Sequence, residues 1–528
     1  MTETKSKNQE TVYPSIFNDV IGPVMRGPSS SHCAAAVRIG RMARDLMGGN
    51  LDEVLIKFDR HGSLATTHSS QGSDMGLFGG LLGWEATDER LPNAHQRIQE
   101  VGINIRIEII DEPAPHPNTY RMRLINSTET HEITAVSTGG GMVELIEIDG
   151  ATVSIKGDFY ETLVYLDPDG GEVVGCPEEI IGVDDLLLLD GDGVQIIGIK
   201  TQKPLDRGII SEISDRYPVS QIKQISPVLP VLSRKALSVP FITCEGMFRY
   251  NSDRDLDLWE LAVHYESARG NLPPEMVNQK MREIIGIMEN SIEQGLEGTE
   301  YPDRILGYQS GQFHSRMIKK GLLDGGILNQ IILYVTAMME MKSAMGLIVA
   351  APTAGACGCL PGACIGAARA LGLSEDDISR GMLAAGMIGV FIGANATFAA
   401  EVGGCQAECG AGSGMAAAAL VSLANGTLQQ AIGAASMALQ NTLGLICDPV
   451  ANRVEVPCLG RNVMAASNAL ACANMALADY DPVIPLDEVI HTMYQVGRDI
   501  PVELRCTALG GLSITPTSRK IEQRLINL

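Results

Sequence analysis

Aromatic side chains are scarce in this chain, at 4% of residues with 2 tryptophans, so its interior must be filled by aliphatic and small residues. Basic residues are also in short supply. The 40 Lys and Arg against 63 Asp and Glu leave a net charge of −23. Such an acidic surface excludes nucleic acid and an anionic membrane as partners, because both require a basic face. Cysteine is too dilute, 12 in 528 residues, for a disulfide framework. Long uninterrupted apolar runs are missing as well. The longest apolar region, roughly 344–372, is broken by Pro352, Pro361, many glycines and Arg369, which predicts buried helix and loop rather than a membrane span. The start, Met1-Thr2-Glu3-Thr4-Lys5, is polar and lacks the apolar stretch of a secretory signal, so the expectation is a cytoplasmic chain.

What is present falls into three compositional zones, as a chain too long for one core should. Residues 1–150 read as an α+β domain: 31–47 has helical spacing, 54–58 and 103–110 alternate as strands, and 121–125 follows. Residues 151–231 carry short strands at 162–166, 186–189 and 193–200, with Asp-Gly turns at Asp169-Gly170 and Asp192-Gly193. In size and position this stretch resembles a small ACT-like α+β module, although the Asp-Arg-Pro-Gly turn of such modules is absent. The proline-rich, aperiodic stretch 226–240 reads as a linker. From 232 to 528 the pattern is helical, with apolar spacing over 255–269, 273–295, 325–342, 375–392, 414–424 and 459–477. Alanine and glycine crowd 350–438, which predicts closely approaching helices in a mostly α-helical catalytic domain.

Three cysteines stand in distinctive settings: Gly403-Gly404-Cys405-Gln406, Cys447-Asp448-Pro449 and Val456-Pro457-Cys458. Three thiolates can hold a four-iron cluster with one iron free to act as a Lewis acid. Spacing alone leaves the other reading open, since most cysteines in a reducing compartment are small buried hydrophobes. The local chemistry suits ligands. Asp448-Pro449 and Pro457 stiffen the segment between two of the cysteines, and Gly403 and Gly404 permit close backbone approach before the third. Cys409 competes, because on a helix it would share a face with Cys405. Cys357, Cys359 and Cys364 fit a packed turn better than a ligand set.

Five separated segments agree in order and spacing. Gly27-Pro28-Ser29-Ser30-Ser31-His32, His61-Gly62-Ser63-Leu64-Ala65-Thr66-Thr67, Ala351-Pro352-Thr353-Ala354-Gly355, Gly404-Cys405-Gln406-Ala407-Glu408, and Cys447-Asp448-Pro449 through Arg461-Asn462 closely resemble the iron–sulfur L-serine dehydratases. The resemblance runs from Tyr13 to Thr517, with the β-type and α-type parts of many bacterial members fused in one chain. It implies a 4Fe-4S cluster on Cys405, Cys447 and Cys458, and a β-elimination of water from a 3-hydroxy amino acid that ends in a 2-oxo acid and ammonia. His32 suits the general base, since an imidazole titrates near neutrality. Ser29, Ser30 and Ser31 suit a substrate carboxylate, or form only a helix cap. Ser63, Thr67, Thr353 and Asn395 are further candidates for orienting substrate. A homodimer is the expected assembly.

Departures from the family pattern gather near these positions. Ser70-Gln71-Gly72-Ser73-Asp74 stands where the family usually has Gly-His-Gly-Thr-Asp, so an imidazole has become the amide of Gln71. Leu347 replaces a usual arginine, and Cys33 and Ala36 replace a threonine and a proline. These changes leave a different 3-hydroxy amino acid or hydroxy acid, or a non-catalytic iron–sulfur sensor, as alternative readings.

Overall fold

The computed structural model describes residues 13–168, 182–191 and 193–526. The N-terminal Met1–Lys5 stretch, the turn at Asp169-Gly170, and Asp192 of the second turn lie outside the described residues. An N-terminal α/β region with two sheets is followed by a helical C-terminal half.

The first sheet has six strands in the spatial order Asn104–Ile110, Glu53–Asp59, Thr119–Ile125, Thr130–Gly139, Met142–Ile148 and Ala151–Ile155. Only the first two of these run parallel. The alternation in Glu53–Asp59 is the reason it is a strand: Val54, Ile56 and Phe58 are buried and the residues between them are half-buried. Helices Ala35–Leu46 and Ser73–Leu81 lie against each other at glycine contacts. A Cβ on Gly80 would collide with the Val37 carbonyl oxygen, so backbones meet here with no room for a side chain.

The second sheet is antiparallel and has four strands in the order Val219–Ile225, Tyr160–Leu166, Gln195–Thr201 and Asp185–Asp190. Helix Arg207–Arg216 covers one face, packing Ile213 over Val164, Leu166, Ile197 and Ile199. The opposite face, with Leu163, Tyr165 and Ile196, joins the main core of the molecule.

The helical half is built around Glu375–Asn395 and Cys409–Leu423, both almost wholly buried. The segments Ala354–Leu371 and Glu375–Asn395 are long and apolar enough to cross a membrane, but they are 83% and 78% buried inside the fold, where packing accounts for their composition. The N-terminal segment is threaded into this half. Ile16–Val20 rests on Glu375–Asn395, where a Cβ on Gly389 would collide with Val20 Cγ1. Buried Glu266 accepts hydrogen bonds from Ser15 Oγ at 2.5 Å and Ile16 N at 2.8 Å. The short strand Val24–Met25 pairs with Ile348–Val349. These contacts bring the serine-rich turn at 29–32 against the helical half.

Candidate active site

His32 is fully buried in a π-helical turn, Ser30–Ala34, that leads directly into helix Ala35–Leu46. Its Nε2 lies 2.8 Å from Thr67 Oγ1, and the Thr67 hydroxyl donates to the Ser63 carbonyl at 2.7 Å. With that proton committed, His32 Nε2 carries the ring hydrogen and donates to Thr67. Nδ1 then holds the lone pair and accepts from Ser29 Oγ at 3.0 Å. Ser31 Oγ lies 3.2 Å from the same nitrogen but donates to Glu401 Oε1 at 2.8 Å. Glu401 Oε1 is itself 3.5 Å from Nδ1. Burial lowers the His32 imidazole below its ordinary value against the opposing pull of Glu401, and that shift favours the neutral ring.

The other candidates take distinct places. Ser30 Oγ accepts from Ala354 N at 3.2 Å, joining the turn to the Ala351–Gly355 segment. Ser29 therefore has the least committed hydroxyl of the three serines. The first-turn N–H groups of Ser30, Ser31 and His32 lack intrahelical acceptors by the nature of a helix start. Ser63 Oγ donates to the Cys506 carbonyl at 3.0 Å. Thr353 caps the short helix Ala354–Ala356 and donates to Glu408 Oε1 at 2.6 Å. The structure does not bring Asn395 to this group: it is exposed at a helix end, and its amide donates to the Phe391 and Ile242 carbonyls.

Cys405, Cys447 and Cys458 are all buried, and the Cys405 thiol lies within electrostatic reach of the other two. A hydrogen bond from Cys409 and the charge of Arg461 bring the Cys405 thiol down to about 7 against burial. That is the thiolate character a cluster ligand needs. Cys458 is pushed up to about 12 by burial, with nearby Lys342 pulling the other way. Lys342 is itself fully buried and donates to the Val454 carbonyl. Arg461 reaches the Ile446 carbonyl at 2.8 Å and Asp448 Oδ1 at 2.6 Å, which fixes the stretch carrying Cys447. Among the described residues no three His, Cys, Asp or Glu side chains converge as they would around a single metal ion. A cluster instead takes its thiolates at separate iron corners, and these buried thiols beside a guanidinium suit it. Cys357, Cys359 and Cys364 are fully buried in the core.

Four residues to which the sequence alone assigns no role enter the site. Glu401 stands behind His32. Arg461 belongs to a matched segment, where nothing local marks its function. Cys506 has φ 58, its thiol lies within electrostatic reach of Cys447, and Cys506 N donates to the Cys447 carbonyl at 3.0 Å. Asn452, at φ 56, donates to the Thr66 carbonyl and to Ser70 Oγ, both at 2.7 Å. Gln71, one of the departures, donates to Asn452 Oδ1 at 2.9 Å and to Cys506 Sγ at 3.4 Å. Local sequence gives no sign of most of these pairings, because they join residues far apart in the chain. The nearest clue is the position of Glu401 just before Gly403-Gly404-Cys405.

Residues 253–513 match the family model described as "Serine dehydratase alpha chain". The chain is 40% identical over 285 residues to the probable L-serine dehydratase alpha chain of Bacillus subtilis, covering 54% of this chain and 95% of that one. It is 33% identical over 220 residues to the probable beta chain of the same organism, covering 40% of this chain and 99% of that one. An L-serine dehydratase of Streptomyces coelicolor is 27% identical over 495 residues, 92% of this chain and 96% of that one. The chain therefore belongs to the L-serine dehydratase family and is an enzyme of the lyase class.

Proposed function

We propose that this enzyme converts L-serine to pyruvate and ammonia with a 4Fe-4S cluster held by Cys405, Cys447 and Cys458. The observation that carries the reading is the junction itself: the Ser31–Glu401 and Ser63–Cys506 hydrogen bonds fasten a buried neutral histidine to the segments that bear the thiols. When bound, such a cluster supplies a Lewis acid for departure of the substrate hydroxyl.

The chain's own residues supply the rest. His32 Nδ1 takes the α-proton as substrate displaces the Ser29 hydroxyl from it. The imidazolium so formed carries its new proton 3.5 Å from Glu401 Oε1, which stabilises the charge. Thr67 holds the other ring nitrogen and sets the tautomer. Ser29 and the first N–H groups of the helical run suit the substrate carboxylate. The surrounding burial excludes water, which strengthens each of these interactions.

The strand order of the second sheet and its size support an ACT-like module within 151–231, between an α+β unit at 1–150 and the helical catalytic unit at 232–528. Strand Ala151–Ile155 itself pairs with the first sheet, and the module's own strands begin at Tyr160. A cytoplasmic homodimer fits the acidic surface and the fusion of the two parts. The test of function is anaerobic reconstitution with iron and sulfide, followed by ammonia release from L-serine, L-threonine and other 3-hydroxy amino acids. L-serine should be turned over, and Cys447→Ala should lose both the cluster absorbance and the activity. Retention of both would refute the ligand set. Turnover of another 3-hydroxy amino acid in place of L-serine would refute the substrate and assign specificity to departures such as Gln71.

A further inference from the structure

The turn at 115–118 leads into strand Thr119–Ile125 and ends at Asn118, a residue with no part in the chemistry of His32 given above. Hydrogen bonds fix this turn against the site. His116 Nδ1 accepts from Asn118 N at 3.1 Å, and Thr119 Oγ1 donates to the His116 carbonyl at 2.7 Å. Ser63 N donates to the Pro117 carbonyl at 3.0 Å, and the Ser63 carbonyl is the one that fixes Thr67. Ser137 N donates to the Asn118 carbonyl at 3.0 Å, while Ser137 Oγ donates to the Ser31 carbonyl at 2.7 Å. One serine thus ties Asn118 to the turn that carries His32. At the end of the same strand, a Cβ on Gly139 would stand 2.8 Å from Ala399 N, so the strand end meets the stretch that bears Glu401.

The Asn118 side chain is the informative one. It is fully buried, and among the described residues neither its Oδ1 nor its Nδ2 has a hydrogen-bond partner. Glu401, 4% exposed, is in the same condition on one side only: Oε1 accepts from Ser31, whereas Oε2 has no donor. The two groups are neighbours. Burial works against ionisation of Glu401, and His32, the Glu401 main chain, Ser31 and the Asn118 amide together outweigh it and hold the carboxyl below its usual range. An amide oxygen and a carboxylate oxygen buried without donors are destabilising until something donates to both. A neutral hydroxyl has one proton to give, while an ammonium has three and carries the charge that a carboxylate favours.

We infer that Asn118 Oδ1 and Glu401 Oε2 together receive the α-ammonium of the substrate, with Glu401 Oε1 left to Ser31 and His32. This assignment rests on the L-serine reading of the pocket and names the contact by which an amino acid is told from a hydroxy acid. Anchoring the ammonium beside the carboxylate also fixes how the α-proton is presented to His32.

The test is calorimetric titration of the anaerobically reconstituted full-length enzyme with L-alanine and with propionate, which differ only in the ammonium and lack the leaving hydroxyl. L-alanine should bind at one site per chain and at least roughly tenfold more tightly than propionate. That ratio should fall at least fivefold in Asn118→Leu, which keeps side-chain size and removes the acceptor. Asn118→Ala is read in the same way, so one folded variant suffices, and thermal unfolding without ligand identifies it. In turnover the variant should lose at least tenfold in kcat/KM for L-serine, through KM more than through kcat. A parent that binds the two ligands equally, a parent that does not bind L-alanine, or a ratio unchanged in a folded variant would overturn the assignment. A parent that shows the ratio and its loss in the variant without turning over L-serine would support the ammonium site while refuting the proposed function.

Discussion

At His32 the two ring nitrogens meet different partners, and that asymmetry decides the chemistry. Nε2 is held by Thr67, while Nδ1 faces Ser29, Ser31 and Glu401. Burial holds the imidazole below its usual range, so the ascending limb of kcat/KM with pH should lie below about 6.5 and the profile should be flat across neutrality. Glu401 raises the imidazole toward its ordinary value. Glu401→Gln should therefore move the limb to lower pH and reduce kcat roughly 10- to 100-fold, about 1.4–2.7 kcal/mol of lost stabilisation of the imidazolium. A limb that stays in place or moves upward would remove Glu401 from this role. His32, Ser63, Thr67 and Thr353 are legible in the sequence because each sits in a short motif. Glu401 and Cys506 are not, because their significance lies in contacts with Ser31 and Cys447 that only the tertiary fold creates.

At the scale of elements, glycine placement separates what sequence pattern can and cannot reveal. The apolar spacing predicts a helix over 414–424, whereas the helix spans Cys409–Leu423. Gly410, Gly412 and Gly414 are poor helix formers, yet Gly410 and Gly414 admit Thr442 and Leu439, whose side-chain atoms lie 2.8 and 3.0 Å from where a Cβ would stand. Packing thus overrides propensity. The helix expected over 31–47 begins instead with the π turn Ser30–Ala34, where Ser137 Oγ donates to the Ser31 carbonyl at 2.7 Å. The strands Thr130–Gly139 and Met142–Ile148 are hidden in the sequence pattern because register shifts at Thr134/Ala135, Ser137/Gly139 and Leu145/Glu147 break their alternation. Ala151–Ile155 alternates but is only five residues long. Two substitutions test the packing logic in opposite directions. Gly389→Ala drives a methyl against buried Val20, and overpacking should outweigh the gain in helix propensity, for a net loss of about 1–2 kcal/mol. Gly286→Ala in helix Pro274–Glu297 meets nothing within 4 Å and should raise stability by roughly 0.5–1 kcal/mol. Thermal or urea unfolding reads both.

At the scale of the whole molecule, the acidic composition leaves some carboxylates buried at junctions. Burial pushes Glu161 up to about 7, with Lys200 only partly opposing it, and Glu266 likewise to about 7. A carboxyl raised in the folded state binds more protons folded than unfolded between about pH 4.5 and 7. Its contribution is therefore present at low pH and lost as pH rises through about 7. Glu161→Gln removes that dependence, so the variant should gain on the parent chain between about pH 5 and pH 8, by an amount of order 2–3 kcal/mol. Parallel unfolding curves at the two pH values would contradict the burial of a carboxylate that Lys200, 3.7 Å away, only partly compensates. The three-zone division and the helical character of the second half are readable from composition. What cannot be read is that the segment from Ser15 to Met25 packs on the helical half and sets the turn at 29–32 against it, so that the candidate active site is assembled from both ends of the chain.

The most direct measurement of that assembly is anaerobic turnover of L-serine by the iron- and sulfide-reconstituted enzyme beside its His32→Ala variant. Equal cluster absorbance in both, with pyruvate and ammonia formed one to one by the parent and a rate at least roughly a thousandfold lower in the variant, is the predicted result. A variant with full cluster absorbance and undiminished turnover would contradict the placing of the base on the N-terminal segment.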